Sequence, residues 1–216
     1  MRTSCIDLAG ALFLSACLLV VSGLPGVAVG AAAYDPLGAA VKADQYWNST
    51  NYPSPYGPNG GTDCTNYAAI MMHLGGNYPF RTSKSGDYNW YFYSWSRLTS
   101  SWITAANLER FLIYDWPGGW QYAHVSAASP SAYSSVYQGD LIFFAWDGSH
   151  ITHVAMQVGT GGWYEDQDSQ SPGAYHVGDY IDQHTINRHH QAWNGYYENR
   201  QAATTWVWEI HIGLTN

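Results

Sequence analysis

Cys64, His153 and His184 are the residues whose types could carry nucleophilic chemistry in this chain. Cys64 lies in Gly60-Gly61-Thr62-Asp63-Cys64-Thr65-Asn66-Tyr67, where two glycines and Thr62 make a loop and Asp63 is a good N-cap residue. The run that follows reaches Leu74 before a Gly75-Gly76 stop, which predicts a short, largely apolar helix with the thiol in its first turn. There the unpaired N–H groups and the positive end of the helix dipole favour the thiolate. The competing reading is a small hydrophobe in the core, since free cysteine is among the most buried residue types. Position alone does not separate the two.

A cysteine nucleophile needs an imidazole within hydrogen-bond reach of sulfur and a third polar group to orient that imidazole. His153 falls in the strand-like run Ile151 to Val158, sharing a face with Ile151, Ala155 and Gln157, where a hydrogen-bonded core histidine is the alternative. His184 falls in a second such run and shares a face with Tyr180, Asp182 and Ile186. It can orient His153 if the two strands pair; Asp182 and Asp166 are the reserves for that role. His150 is expected in a turn, and His189-His190 in a solvated polar segment. His150, His153 and His184 together are the zinc-hydrolase alternative, which lacks the i, i+4 helical pair of zinc proteases. Serine catalysis has no supporting elbow motif.

The elements that would position these groups follow from periodicity. Residues 1–33 combine Arg2, an apolar run from Leu8 to Val21 and small-residue cleavage options, and so read as a secretion signal. Leu14-Ser15-Ala16-Cys17 is a lesser alternative, a lipoprotein box. Removal of the segment takes Cys5 and Cys17 with it and leaves Cys64 unpaired, the pattern of an intermolecular cross-link or a reactive thiol. Residues 34–216 are of one-domain size. An amphipathic helix is expected over Asp35 to Asn48, then a Pro/Gly-rich approach to Cys64, the cysteine helix, an aromatic connector from Asn77 to Trp102, and a helix from Ala105 to Tyr114. Strands are expected at 140–146, 151–158, 163–165, 179–186 and 204–212. Helices first and strands after make an α+β domain with an antiparallel sheet. A net charge of −8 argues against nucleic acid as a partner, and no stable membrane anchor is expected because the apolar run is short.

Asp63-Cys64-Thr65-Asn66-Tyr67 resembles the Asp-Cys-Thr-Asn-Phe stretch of the bacterial putative amidase domain, and Tyr46-Trp47 and Gln183-His184-Thr185 match the same pattern. Gly139-Asp140-Leu141 and His153-Val154 are similar, more distantly, to strands of NlpC-type cell-wall peptidases and CHAP amidases. The resemblance implies a papain-like fold, Cys64 as nucleophile, His153 as general base and acid, and His184 as the orienting group. It also implies Tyr56 near the oxyanion and an amide of bacterial cell-wall peptide as substrate; Asp63 is a further candidate for the oxyanion or substrate, and a secreted monomer without cofactor or metal is expected. Ala68-Ala69 departs from the valine and serine more common in the amidase pattern. A catalytically silent, aromatic-rich wall-binding module is the reading from a different class.

Overall fold

The computed structural model describes residues 33–60, 63–82, 88–115, 119–126, 137–165, 175–193 and 206–213. Residues 1–32, Cys5 and Cys17 among them, and Gly61, Thr62 and Asp166 lie outside the described residues. Helix α1, Pro36–Tyr46, starts as its sequence dictates: the Asp35 carboxylate accepts from the Gly38 N–H at 2.9 Å and proline takes the first position. Helix α2, Cys64–Ile70, is buried at every residue and widens into a π-helical turn over Met71–Gly75. The two helices cross where Gly38 meets Gly75; a Cβ on either would collide with the backbone carbonyl of the other. That contact, with the Tyr67 hydroxyl donating to the Ala43 carbonyl at 2.8 Å, holds α1 hard against the cysteine helix.

The aromatic connector contains a small hairpin, β1 (Phe92–Ser94) with β2 (Arg97–Leu98). Its rings divide by position: Trp90 and Phe92 are buried, while Tyr88, Tyr93 and Trp95 are exposed. Helices α3 (Ser100–Ile103) and α4 (Ala105–Arg110) follow, α4 again ending in a π-helical turn, Phe111–Asp115.

The remaining strands are β3 (Gly119–Ser126), β4 (Leu141–Ala145), β5 (His153–Glu165), β6 (Tyr175–Gln183), β7 (Arg188–Ala192) and β8 (Trp206–Ile212). They form one antiparallel sheet in the order β3-β8-β4-β5-β6-β7. The α+β, papain-like arrangement expected from the sequence is therefore the observed one: helices first, one of them carrying the cysteine, packed on an antiparallel sheet. Three expectations need correction. The strand expected at 163–165 is the far end of β5; β6 stops at Gln183, so His184 opens a turn; and β3 and β7, unforeseen, are the two edges of the sheet. Alternation sends Leu141, Phe143, Val154, Met156, Ile210 and Ile212 into the core shared with the helices. Ile142, Phe144, Ala155, Ile181, Trp193 and Val207 are buried on the other face.

The segment that leads into β4 anchors the sheet. The buried Asp140 carboxylate accepts from the Tyr137 and Ile212 backbone N–H groups at 2.7 and 2.9 Å, and from His211 Nδ1 at 2.9 Å. Gly139 beside it has φ +87°, and a Cβ there would run into the Pro36 backbone. Gly139→Ala should therefore cost well over the ~1 kcal/mol scale of an ordinary glycine replacement, read as a lower urea midpoint at unchanged slope; a loss within 0.5 kcal/mol would contradict this packing.

Candidate functional site

Cys64 is the first residue of α2, 6% exposed, and free of any disulfide. Its sulfur meets β5 at that strand's start, where the His153 side chain and the Val154 backbone N–H both hydrogen-bond it. Burial raises the thiol's pKa, but these bonds, the imidazole's charge and the Thr65 hydroxyl outweigh it and bring it down to about 7. The thiol is thus poised near neutrality.

The ring of His153 is oriented by Gln183. His153 Nε2 and Gln183 Oε1 are 2.9 Å apart, which leaves Nδ1 for the sulfur. The amide of Gln183 is itself held, because its Nε2 donates to the Ile186 carbonyl at 3.1 Å and so turns Oε1 toward the imidazole. An amide oxygen can only accept, so the neutral ring carries its proton on Nε2 and presents the Nδ1 lone pair to the thiol.

His184, expected in this role, is committed elsewhere, and strand register is the reason. Gln157 pairs with Ile181 and Met156 with Asp182 across β5 and β6. Paired residues share a face. The face of His153, Ala155 and Gln157 is therefore continued on β6 by Ile181 and Gln183. Asp182, and His184 beyond the strand's end, fall on the opposite parity. Asp182 does not serve as the reserve either: it is fully buried, with Oδ1 accepting from the His190 backbone N–H at 2.6 Å. Burial pushes its acid well above the usual carboxylate range.

His184 and Asp63 instead make a buried hub behind the cysteine. His184 Nδ1 donates to Asp63 Oδ2 at 2.8 Å, and Nε2 donates to the Tyr46 carbonyl at 2.7 Å. The Tyr52 hydroxyl lies 2.7 Å from the same Nδ1, and the ring forms an ion pair with the carboxylate when it is protonated. Tyr67 stacks on it at 4.2 Å. Asp63 also accepts from the Tyr52 hydroxyl at 2.8 Å, the Asn59 N–H at 2.7 Å and Asn66 Nδ2 at 2.8 Å. Burial raises the Asp63 pKa, but His184 and these three donors more than offset it, and the acid lies below its ordinary value. Asp63 thus makes no side-chain cap bond to α2, against expectation; its oxygens accept from His184, Tyr52, Asn59 and Asn66 instead.

Two further motif residues gain a purpose. Asn66 donates to the Gly57 carbonyl at 2.8 Å and accepts from Trp102 Nε1 at 3.0 Å, tying the approach loop and the aromatic connector to α2. Tyr56 packs over that connector, stacked on Trp102 at 5.8 Å and beside Phe92 at 5.3 Å. The Cys64 backbone N–H donates to Thr185 Oγ1 at 3.2 Å. Thr185 has φ +88°, a left-handed conformation costing a β-branched residue on the order of 1–3 kcal/mol, so the turn is held open by its surroundings to present that hydroxyl. Gln183 and Thr185 were visible in sequence only as parts of a matching tripeptide.

The zinc alternative does not assemble. His150 is exposed on Asp147 and Ser149, His153 serves Cys64 and Gln183, and His184 serves Asp63.

Alkylation of Cys64 by iodoacetamide should follow a titration with midpoint near pH 7, and His153→Ala should move it up toward the free-thiol value of about 8.5; a wild-type rate still climbing above pH 8.5 would contradict the pair. His184→Ala leaves the Asp63 charge buried without its partner and should lower stability by about 3–5 kcal/mol in chemical denaturation. The contribution of Asp63, whose acid is depressed, is fully present above about pH 3.9, the unfolded value, and is lost as the pH falls through the lower folded value.

A family model described as a putative amidase domain matches residues 33–208. No curated protein and no solved structure matches the chain.

Proposed function

The chain belongs to the putative amidase domain family, and on that premise we propose that it hydrolyses an amide through the Cys64 thiolate, with His153 as base and acid and Gln183 as the group that orients it. The observation that carries this reading is the hydrogen-bonded order Cys64, His153, Gln183, with the thiol lowered to about pH 7. His153 Nδ1 takes the thiol proton, and the thiolate attacks the amide carbon. The oxygen of the tetrahedral intermediate becomes an anion that takes the Cys64 backbone N–H from the Thr185 hydroxyl. The intermediate collapses as the imidazolium returns its proton to the leaving amine, leaving an S-acyl thioester. Water, deprotonated by His153, attacks that thioester; the carboxylic acid departs and the sulfur regains its proton.

Within this reading the protein is exported, its segment 1–33 serving as the signal, and the substrate is a peptide amide of the bacterial cell wall. Both rest on the signal-like composition of that segment and on family analogy. The exposed rings of Tyr93 and Trp95 support a second reading, a wall-binding module in which the thiol is idle.

Purified peptidoglycan incubated with the chain should gain free amino and carboxyl ends. Cys64→Ala should abolish the gain, and His153→Ala should lower kcat/KM by on the order of 10²–10⁴, the span of general acid–base catalysis. Gln183→Ala should lower kcat with little change in KM, since it touches the base and not the substrate. Full activity in Cys64→Ala would overturn the proposal, and retention on peptidoglycan without new ends would favour the binding module.

A further inference from the structure

Away from the thiol, Asp44, Asp182, His189 and His190 converge, with one donor atom from each lying within 4.8 Å of all the others. They come from three elements: Asp44 from α1, Asp182 from β6, and His189 and His190 from β7. Asp44 Oδ1 lies 2.7 Å from His189 Nε2 and 2.9 Å from His190 Nε2. The two rings are 4.0 Å apart, and Trp47 stacks on His189 at 4.8 Å, fixing its plane. A hydrogen-bonded cluster would account for that much. It does not account for Asp182, which is fully buried beside these groups and whose Oδ2 has no hydrogen-bond partner. A buried carboxylate oxygen left unmatched is costly, and a cation is the partner that would satisfy it.

We propose that Asp44, Asp182, His189 and His190 form a binding site for one divalent first-row metal cation of the Zn²⁺ type, which staples α1 to the β6–β7 hairpin. Two imidazoles and two carboxylates are the borderline donor set that suits Zn²⁺, in contrast to the all-oxygen shells of Mg²⁺ and Ca²⁺. Four protein ligands describe a closed, structural site. Bonds of about 2.0–2.2 Å place tetrahedral neighbours roughly 3.3–3.5 Å apart, so both Asp44 pairs open by about half an ångström as the cation replaces the Nε2 protons. A groove of about 210 Å³ lined by Leu37, Val41 and Gln138 reaches Asp44 and His190 and gives the ion a way in. Gln183 directly follows Asp182, and the Tyr46 carbonyl that holds His184 lies two residues after Asp44. The staple therefore fixes the end of β6, which carries Gln183, and the turn after it, which carries Thr185.

The test uses the tag-free full chain, stripped with chelator and dialysed against Zn²⁺. One equivalent should be retained by elemental analysis, and the apparent Tm should rise by about 5–10 °C at free Zn²⁺ a hundredfold above Kd. His189→Ala and Asp182→Asn should each weaken binding by at least about 10–100-fold, the loss that removal of a mere outer-shell partner already produces. His189 is half-buried on the edge strand β7, and its variant is read even if Asp182→Asn fails to fold. Cys64→Ser should retain the equivalent. Failure to bind Zn²⁺, binding unmoved in His189→Ala, or binding lost in Cys64→Ser would each overturn the proposal, the last by placing the ion at the thiol. None of these readouts depends on amide hydrolysis.

Discussion

The buried hydrogen bond between Asp63 and His184 is the constraint on which the arrangement of the site depends. It joins the residue before the nucleophile to the residue after the orienting glutamine across 121 positions of sequence. Polar and charged groups taken out of water are tolerated only when their remaining donors and acceptors are matched. Here Tyr52, Asn59 and Asn66 complete the carboxylate and the Tyr46 carbonyl completes the ring. The satisfied network fixes the distance between the start of α2 and the turn after β6. Sulfur, imidazole and amide then meet because their backbones have no other place to be.

The same logic explains the glycine crossing. If α1 were held off by side chains at Gly38 or Gly75, the Tyr46 carbonyl would recede from His184 and leave a buried N–H without an acceptor. Bulk is thus excluded at a place far from any chemistry, on account of a hydrogen bond at the other end of the helix.

What could be seen in the sequence was whatever depends on local periodicity. The cysteine at a helix start and the histidine on a strand follow from spacings of 3.6 and 2, and the α+β order follows from where those periods change. Gln183 was hidden because the face it shares with His153 is decided by the pairing of β5 with β6, and a shift of one residue exchanges every partner. Asp63 looked like a cap because capping is a local preference; a buried imidazole, a tyrosine hydroxyl and two asparagine N–H groups won its oxygens. The strands β3 and β7 went unseen because both are sheet edges, and an edge such as Arg188-His189-His190-Gln191 can stay polar where a central strand cannot.

Thr185 gives the proposed chemistry a selectivity that none of the catalytic groups supplies. Its hydroxyl already occupies the Cys64 N–H, so an arriving carbonyl must compete with a neutral acceptor of similar strength and gains almost nothing by displacing it. An oxyanion wins that contest, because a hydrogen bond to a full charge is roughly twice as strong as one between neutral groups. A resident hydroxyl at that N–H thus acts as a threshold: it cancels the reward for merely binding an amide and preserves the reward for reaching the tetrahedral state, the difference on which a rate enhancement is built.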